Sequence, residues 1–273
     1  MLEALGYEFM QHAMIAGLLA AITCGVIGSY VVVKRIVFIS GGISHSAYGG
    51  VGLGYLIGVS PMWAAMGFSL IAGLGIGLTT LKLRQASDTV IGVIWASGMA
   101  LGILFVSVSP GAAPNLMTYL FGNVLMVSLS DLYLMGGLAV TIIIVVSLLY
   151  KELLTVSFDE EYAAVLGLPV SVIYLLLLSL VAMTVIILMR VVGIIMVIAL
   201  LTIPAATARL YVDRMSRLMV VASIIGAVCT TFGLVLSFTL NEVYDKPFPS
   251  GPVIILLAAF VYAAALGVRK LVR

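Results

Sequence analysis

His45, one of only two histidines in the chain, stands between Ser44 and Ser46 in a stretch that carries no charged residue from Arg35 to Lys82. A neutral imidazole is a borderline-soft ligand suited to zinc, ferrous iron or manganese, and a polar ring in an apolar helix is expensive unless it pairs or faces a cavity. Two readings follow: His45, with Ser44 and Ser46, lines a metal pathway, or it makes an interhelical hydrogen bond. A second kind of chemistry lies in the polar stretch from Thr155 to Pro169. Ser157 is placed to cap a short helix, Asp159, Glu160 and Glu161 favour its positive N-terminus, Ala163 and Ala164 give it a small-residue face, and Gly167 with Pro169 ends it. An acidic, alanine-faced helix at about 155–169 suits a docking knob for another protein, and its plain alternative is an ordinary loop. Pro204, two residues after Thr202, removes a backbone hydrogen bond from its helix, so it is either a hinge or a tolerated proline. Catalysis finds no support. There is no His-Glu-x-x-His zinc site, and no phosphate-cradling Gly-x-x-x-x-Gly-Lys-Ser/Thr loop, so any dependence on ATP and its Mg must come from a partner chain.

The elements that hold these residues follow from where charge is missing. Gaps run from Arg35 to Lys82, from Asp88 to Asp131 and from Arg217 to Glu242, and 63% of the 273 residues are hydrophobic against 9% charged. A membrane-crossing helix needs about 20 apolar residues, so the chain reads as an all-α polytopic membrane protein forming one transmembrane domain. Spans are expected near 13–33, 38–58, 62–81, 89–108, 132–150, 170–189, 191–210, 218–240 and 251–268, about nine in all. With the N-terminus outside, eleven of the thirteen Lys and Arg residues fall on the cytoplasmic side together with the C-terminus, as the positive-inside bias requires. A full crossing by 112–130 would reverse that, so this segment reads as a partial or re-entrant one on the outer side. Asp88 before Thr89 reads as an N-cap. Gly50, Gly54 and Gly58, then Gly73, Gly75 and Gly77, let neighbouring backbones approach closely.

The sequence also carries a family likeness. Glu161, Ala163, Ala164 and Gly167 resemble the Glu-Ala-Ala…Gly coupling loop by which membrane subunits of ABC importers rest on their ATPase. Phe38-Ile-Ser-Gly-Gly-Ile-Ser-His-Ser-Ala-Tyr-Gly-Gly-Val-Gly-Leu-Gly54 is similar to the second-helix signature of permeases from zinc, manganese and iron uptake ABC systems. Val191-Val-Gly-Ile-Ile-Met-Val-Ile-Ala-Leu-Leu-Thr-Ile-Pro-Ala-Ala-Thr-Ala-Arg209 resembles a later helix of the same family. Leu120-Phe-Gly-Asn-Val-Leu125, Ser130-Asp131-Leu132 and Pro249-Ser-Gly-Pro252 match its remaining landmarks in order. The resemblance implies a prokaryotic cell-membrane (inner-membrane) permease with the fold of vitamin B12 and siderophore importers. It implies a second permease copy or a paralogue, a cytoplasmic ABC ATPase dimer and an extracytoplasmic metal-binding protein. The implied substrate is a divalent metal, zinc or manganese, with ferrous iron as a further candidate. One departure stands out: many members carry Asp one helical turn before the histidine, where this chain has Gly41. The competing class is a secondary transporter or channel, which would normally place Asp or Glu within its spans; none of the expected spans holds one.

Overall fold

The computed structural model describes residues 7–83, 87–110, 122, 126–246 and 248–272. Among these residues regular structure is helical throughout: α1 (Glu8–Val33), α2 (Val37–Ile57), α3 (Pro61–Leu83), α4 (Ser87–Val108), α5 (Leu129–Leu148), α6 (Tyr150–Phe158), α7 (Glu160–Val165), α8 (Val170–Val192), α9 (Ile194–Arg209), α10 (Met215–Tyr244) and α11 (Ser250–Val272). Seven of the described helices are long and apolar enough to cross a membrane, against the nine expected from the sequence. The two expected spans that fall outside this set have identifiable causes. α2 has the length, but its glycines, serines and His45 dilute its hydropathy, and α9 stops at 16 residues. Most of the expected outer segment 112–130, including the Leu120 to Leu125 landmark apart from Gly122, lies outside the described residues.

Helix ends differ from the expected bounds for local reasons. α5 starts early because Ser128 and Asp131 cap it reciprocally: the Ser128 hydroxyl donates to Asp131 Oδ2 at 2.6 Å, and the Asp131 N–H donates to Ser128 Oγ at 3.3 Å. Asp88 is not an N-cap; it lies in the first turn of α4, which begins at Ser87. Gly58 belongs to no packing stripe, since at φ 71° it takes the left-handed C-cap of α2.

The chain forms two compact units. One contains residues 33–116 and 144–186, and the other contains 1–32, 117–143 and 187–273. In the first unit α2 is the central element. Its contacts with α4 climb both helices in the same direction, Gly42 on Ile91, Ser46 on Gly98 and Gly52 on Gly102, so the two run parallel. α3 runs back antiparallel, with Gly54 against Pro61 and Gly50 against Ala65. A Cβ on Gly52 would lie 2.4 Å from the Gly102 carbonyl oxygen, so the backbones themselves touch. In lipid, where apolar surface gains little from leaving one apolar medium for another, such backbone approach supplies the van der Waals and weak Cα–H···O attraction that joins helices.

In the second unit α1 packs antiparallel to α10, with Gly17 facing Thr230 and Gly25 facing Ser223. Pro204 is buried inside an unbroken α9, and having no N–H it leaves the carbonyl of Leu200 without its usual helical donor. Thr202 and Thr207 return their hydroxyls to the Ile198 and Ile203 carbonyls at 2.8 and 2.7 Å. The turn into α11 is tied down by Ser237, whose hydroxyl donates to the Phe248 carbonyl at 2.8 Å.

Candidate functional site

α2 carries His45 to a half-buried position against α4. Its imidazole lies flat on the indole of Trp95, with ring centroids 4.2 Å apart and planes within 8°. The Trp95 N–H is held by Met99 Sδ at 3.2 Å, which fixes the indole over the histidine. His45 Nδ1 is buried and has no hydrogen-bond partner. An imidazole nitrogen without a partner inside a membrane helix is costly.

Ser44 and Ser46 do not converge on the imidazole. Both hydroxyls are spent on their own helix, Ser44 donating to the Ser40 carbonyl at 2.6 Å and Ser46 to that of Ile43 at 2.8 Å. One turn before His45, a Cβ on Gly41 would stand 3.7 Å from Trp95 Cζ3, an ordinary contact, so the same indole also lies beside Gly41. No three His, Cys, Asp or Glu side chains form a metal-holding group among the described residues. The other histidine has a structural partner: His12 Nδ1 lies 3.2 Å from the Val127 carbonyl.

The polar stretch near 155–169 folds as two helices that meet at Asp159. The cap is Asp159, whose Oδ1 accepts the Tyr162 N–H at 2.9 Å from an extended backbone (φ −150°, ψ 104°). Ser157 is therefore not the cap; α6 continues to Phe158 and leaves the Ser157 hydroxyl buried in its last turn without a partner. Gly167 at φ 77° closes α7 in a Schellman arrangement, its N–H donating to the Ala164 carbonyl and that of Leu168 to Ala163, each at 3.0 Å. The three acidic residues divide their roles: Asp159 caps, Glu160 pairs with Lys34 at 2.6 Å, and Glu161 is exposed. The alanines part as well. Ala163 is fully buried within the chain, whereas Ala164 is exposed, as are Tyr162, Val165 and Leu166.

The described helices thus present one imidazole whose buried Nδ1 is unpartnered and one short capped helix whose Glu161, Tyr162, Ala164, Val165 and Leu166 are exposed. The chain belongs to the ABC 3 transport family, whose model matches residues 6–269. It is 48% identical over 270 residues to an uncharacterized membrane protein of Synechocystis sp., covering 99% of this chain and 94% of that one. It is 36% identical over 261 residues to the manganese transport system membrane protein MntC of Listeria monocytogenes, covering 96% and 93%. Among solved structures, PsaBC from Streptococcus pneumoniae in complex with Fab superposes with a TM-score of 0.84 at 29% identity, covering 97% of this chain and 94% of that one. The chain is thus a membrane subunit of the ABC 3 transport family, with the fold of the solved PsaBC structure, and a transport subunit rather than an enzyme.

Proposed function

We propose that this permease belongs to an ATP-driven importer that receives a divalent transition metal from an extracytoplasmic binding protein and releases it into the cytoplasm. Manganese is the favoured ion, ahead of zinc and ferrous iron, because the Listeria relative is named for manganese transport. The observation that carries the reading is His45: an imidazole with an unpartnered Nδ1, held flat under Trp95 in a helix free of charge. It offers the passing ion one borderline nitrogen ligand, with further ligands from water or from a second permease copy or paralogue. A single ligand binds weakly, which suits an ion that must also leave. ATP and its Mg belong to the partner ATPase.

α2 and α9 are taken to cross the membrane with the seven more apolar helices, giving nine spans and a cytoplasmic C-terminus. This topology agrees with one contact. Four long described helices, α2 to α5, and the short α6 separate Lys34 from Glu160, and the two side chains meet, as they must if an even number of crossings lies between them. That contact brings the basic α1–α2 turn and α7 to one face, the cytoplasmic one under the positive-inside bias. α7 then offers Glu161, Tyr162, Ala164, Val165 and Leu166 to the ATPase, and Pro204 in α9 serves as a hinge.

Metal content of a strain lacking this permease tests the assignment. In manganese-limited medium, cellular manganese is expected to fall several-fold and to recover when the intact chain is restored. A selective fall in zinc or iron would move the proposal to that metal. Unchanged content of all three would end it.

A further inference from the structure

Lys34 lies in the tight turn between α1 and α2, yet only 9% of its side chain remains exposed. Three elements surround its ammonium. Glu160, the first residue of α7, accepts at 2.6 Å, the Val156 carbonyl in the last turns of α6 accepts at 2.9 Å, and the ring of Tyr174 on α8 has its centre 5.1 Å away. A buried ammonium is tolerated when its donors are met by a carboxylate, a carbonyl and an aromatic face, and removing one of them strands the charge. The adjacent Arg35 adopts φ 59°, which sharpens the turn, and its own side chain is exposed. The group sits beside a cavity of about 600 Å³ lined by Lys34, Arg35, Thr80, Ser157, Glu160 and Tyr174. Ser157, whose hydroxyl is buried and unpartnered, is another of the lining residues.

The local chain gives this cluster a mechanical meaning. α7 has six residues, too few to hold itself as an isolated helix, and it joins α6 through the extended backbone of Asp159, a natural pivot. Within α7 only Ala163 is buried. One ammonium therefore fastens the end of α6 and the start of α7 to the α1–α2 turn and to α8. Glu161, the glutamate of the coupling signature, is exposed and takes no part in this clamp.

We propose that Lys34 is a positioning residue for energy coupling: it holds α7 so that a displacement by the docked ATPase reaches α2 and α8 instead of being absorbed at the α6–α7 pivot. This inference rests on reading α7 as the ATPase-docking helix. The two are separable, because the docking face (Tyr162, Val165, Leu166) and the clamp (Lys34, Glu160) use different residues.

The test uses the permease purified with its ATPase and reconstituted in liposomes with its binding protein, with manganese as the ion. Lys34→Met and Glu160→Gln are each expected to retain the ATPase and to hydrolyse ATP, while manganese moved per ATP falls by about tenfold. The double variant should be no worse than the Lys34→Met single, since both remove one interaction. Glu160 is 48% exposed, so its amide variant guards against a Lys34 variant that merely fails to fold. Val165→Asp, on the exposed face, is the arm that reads docking and is expected to lose the ATPase during purification. If Lys34→Met and Glu160→Gln keep the normal ratio of manganese to ATP, the clamp is refuted while docking stands. If they reduce only the amount of permease and leave the ratio intact, Lys34 is a folding residue and the clamp is again refuted. If Val165→Asp binds its ATPase and transports normally, the docking reading fails and takes the clamp with it.

Discussion

Replacing His45 with alanine should cut ATP-driven manganese uptake by at least about tenfold per permease molecule, with the protein still inserted and bound to its ATPase. Groups that only orient metal ligands commonly cost about 10- to 100-fold in affinity or activity when lost, and a ligand itself should cost no less. Deleting the ring removes the stacking with Trp95, but it also removes an unpartnered buried nitrogen, so the loss of stability should be modest. Uptake normalised to permease abundance separates the two effects. Undiminished uptake per molecule, with less protein, would make His45 a packing residue. Gly41→Asp is the complementary change. Its Cβ has room beside Trp95, and it places a carboxylate one turn from the imidazole, so slower metal release or a changed preference among manganese, zinc and iron should accompany it.

Gly52→Val should cause the largest loss of folded permease. The new Cβ would fall 2.4 Å from the Gly102 carbonyl oxygen and 2.9 Å from its Cα, and neither atom belongs to a side chain that can rotate away. Overpacking of movable side chains costs about 1–3 kcal/mol, and a backbone obstacle on α4 should exceed the upper part of that range. α4 carries Trp95, so forcing it off α2 also uncovers His45. Gly75→Ala is the control, since a Cβ there meets nothing within 4 Å and its abundance should stay at the wild-type level. Abundance and thermal unfolding of the two variants in detergent check the contrast. Equal behaviour would mean that the α2–α4 backbone contact does not hold this unit together.

Much of this was readable in the sequence because charge and hydropathy act locally. The gap from Arg35 to Lys82 marks α2 and α3, and the run from Ser157 to Gly167 marks a short capped helix. The sequence pattern puts the cap on Ser157 rather than Asp159 because nothing in the polar loop signals that α6 extends through Phe158. Hydropathy likewise understates α2, whose glycines exist to meet α4 and whose serines bond back to their own helix. Tertiary pairs left no such trace. Trp95 is one aromatic residue in an apolar stretch, and its place over His45 depends on two helices running parallel. Lys34 reads as a topological charge at the end of a span, and only the fold brings Val156, Glu160 and Tyr174 around it. Ala163 and Ala164 look equivalent in sequence, yet one faces the chain and the other faces out.

The central claim is that this chain moves a metal ion inward at the expense of ATP hydrolysed by a partner. The most direct measurement is manganese uptake into liposomes containing the permease with its ATPase, with the binding protein outside and ATP enclosed. Manganese should accumulate only when ATP, the ATPase and the binding protein are all present, and imposed proton or sodium gradients should not replace ATP. Accumulation driven by such a gradient in the absence of ATP would contradict the account and make the chain a secondary transporter.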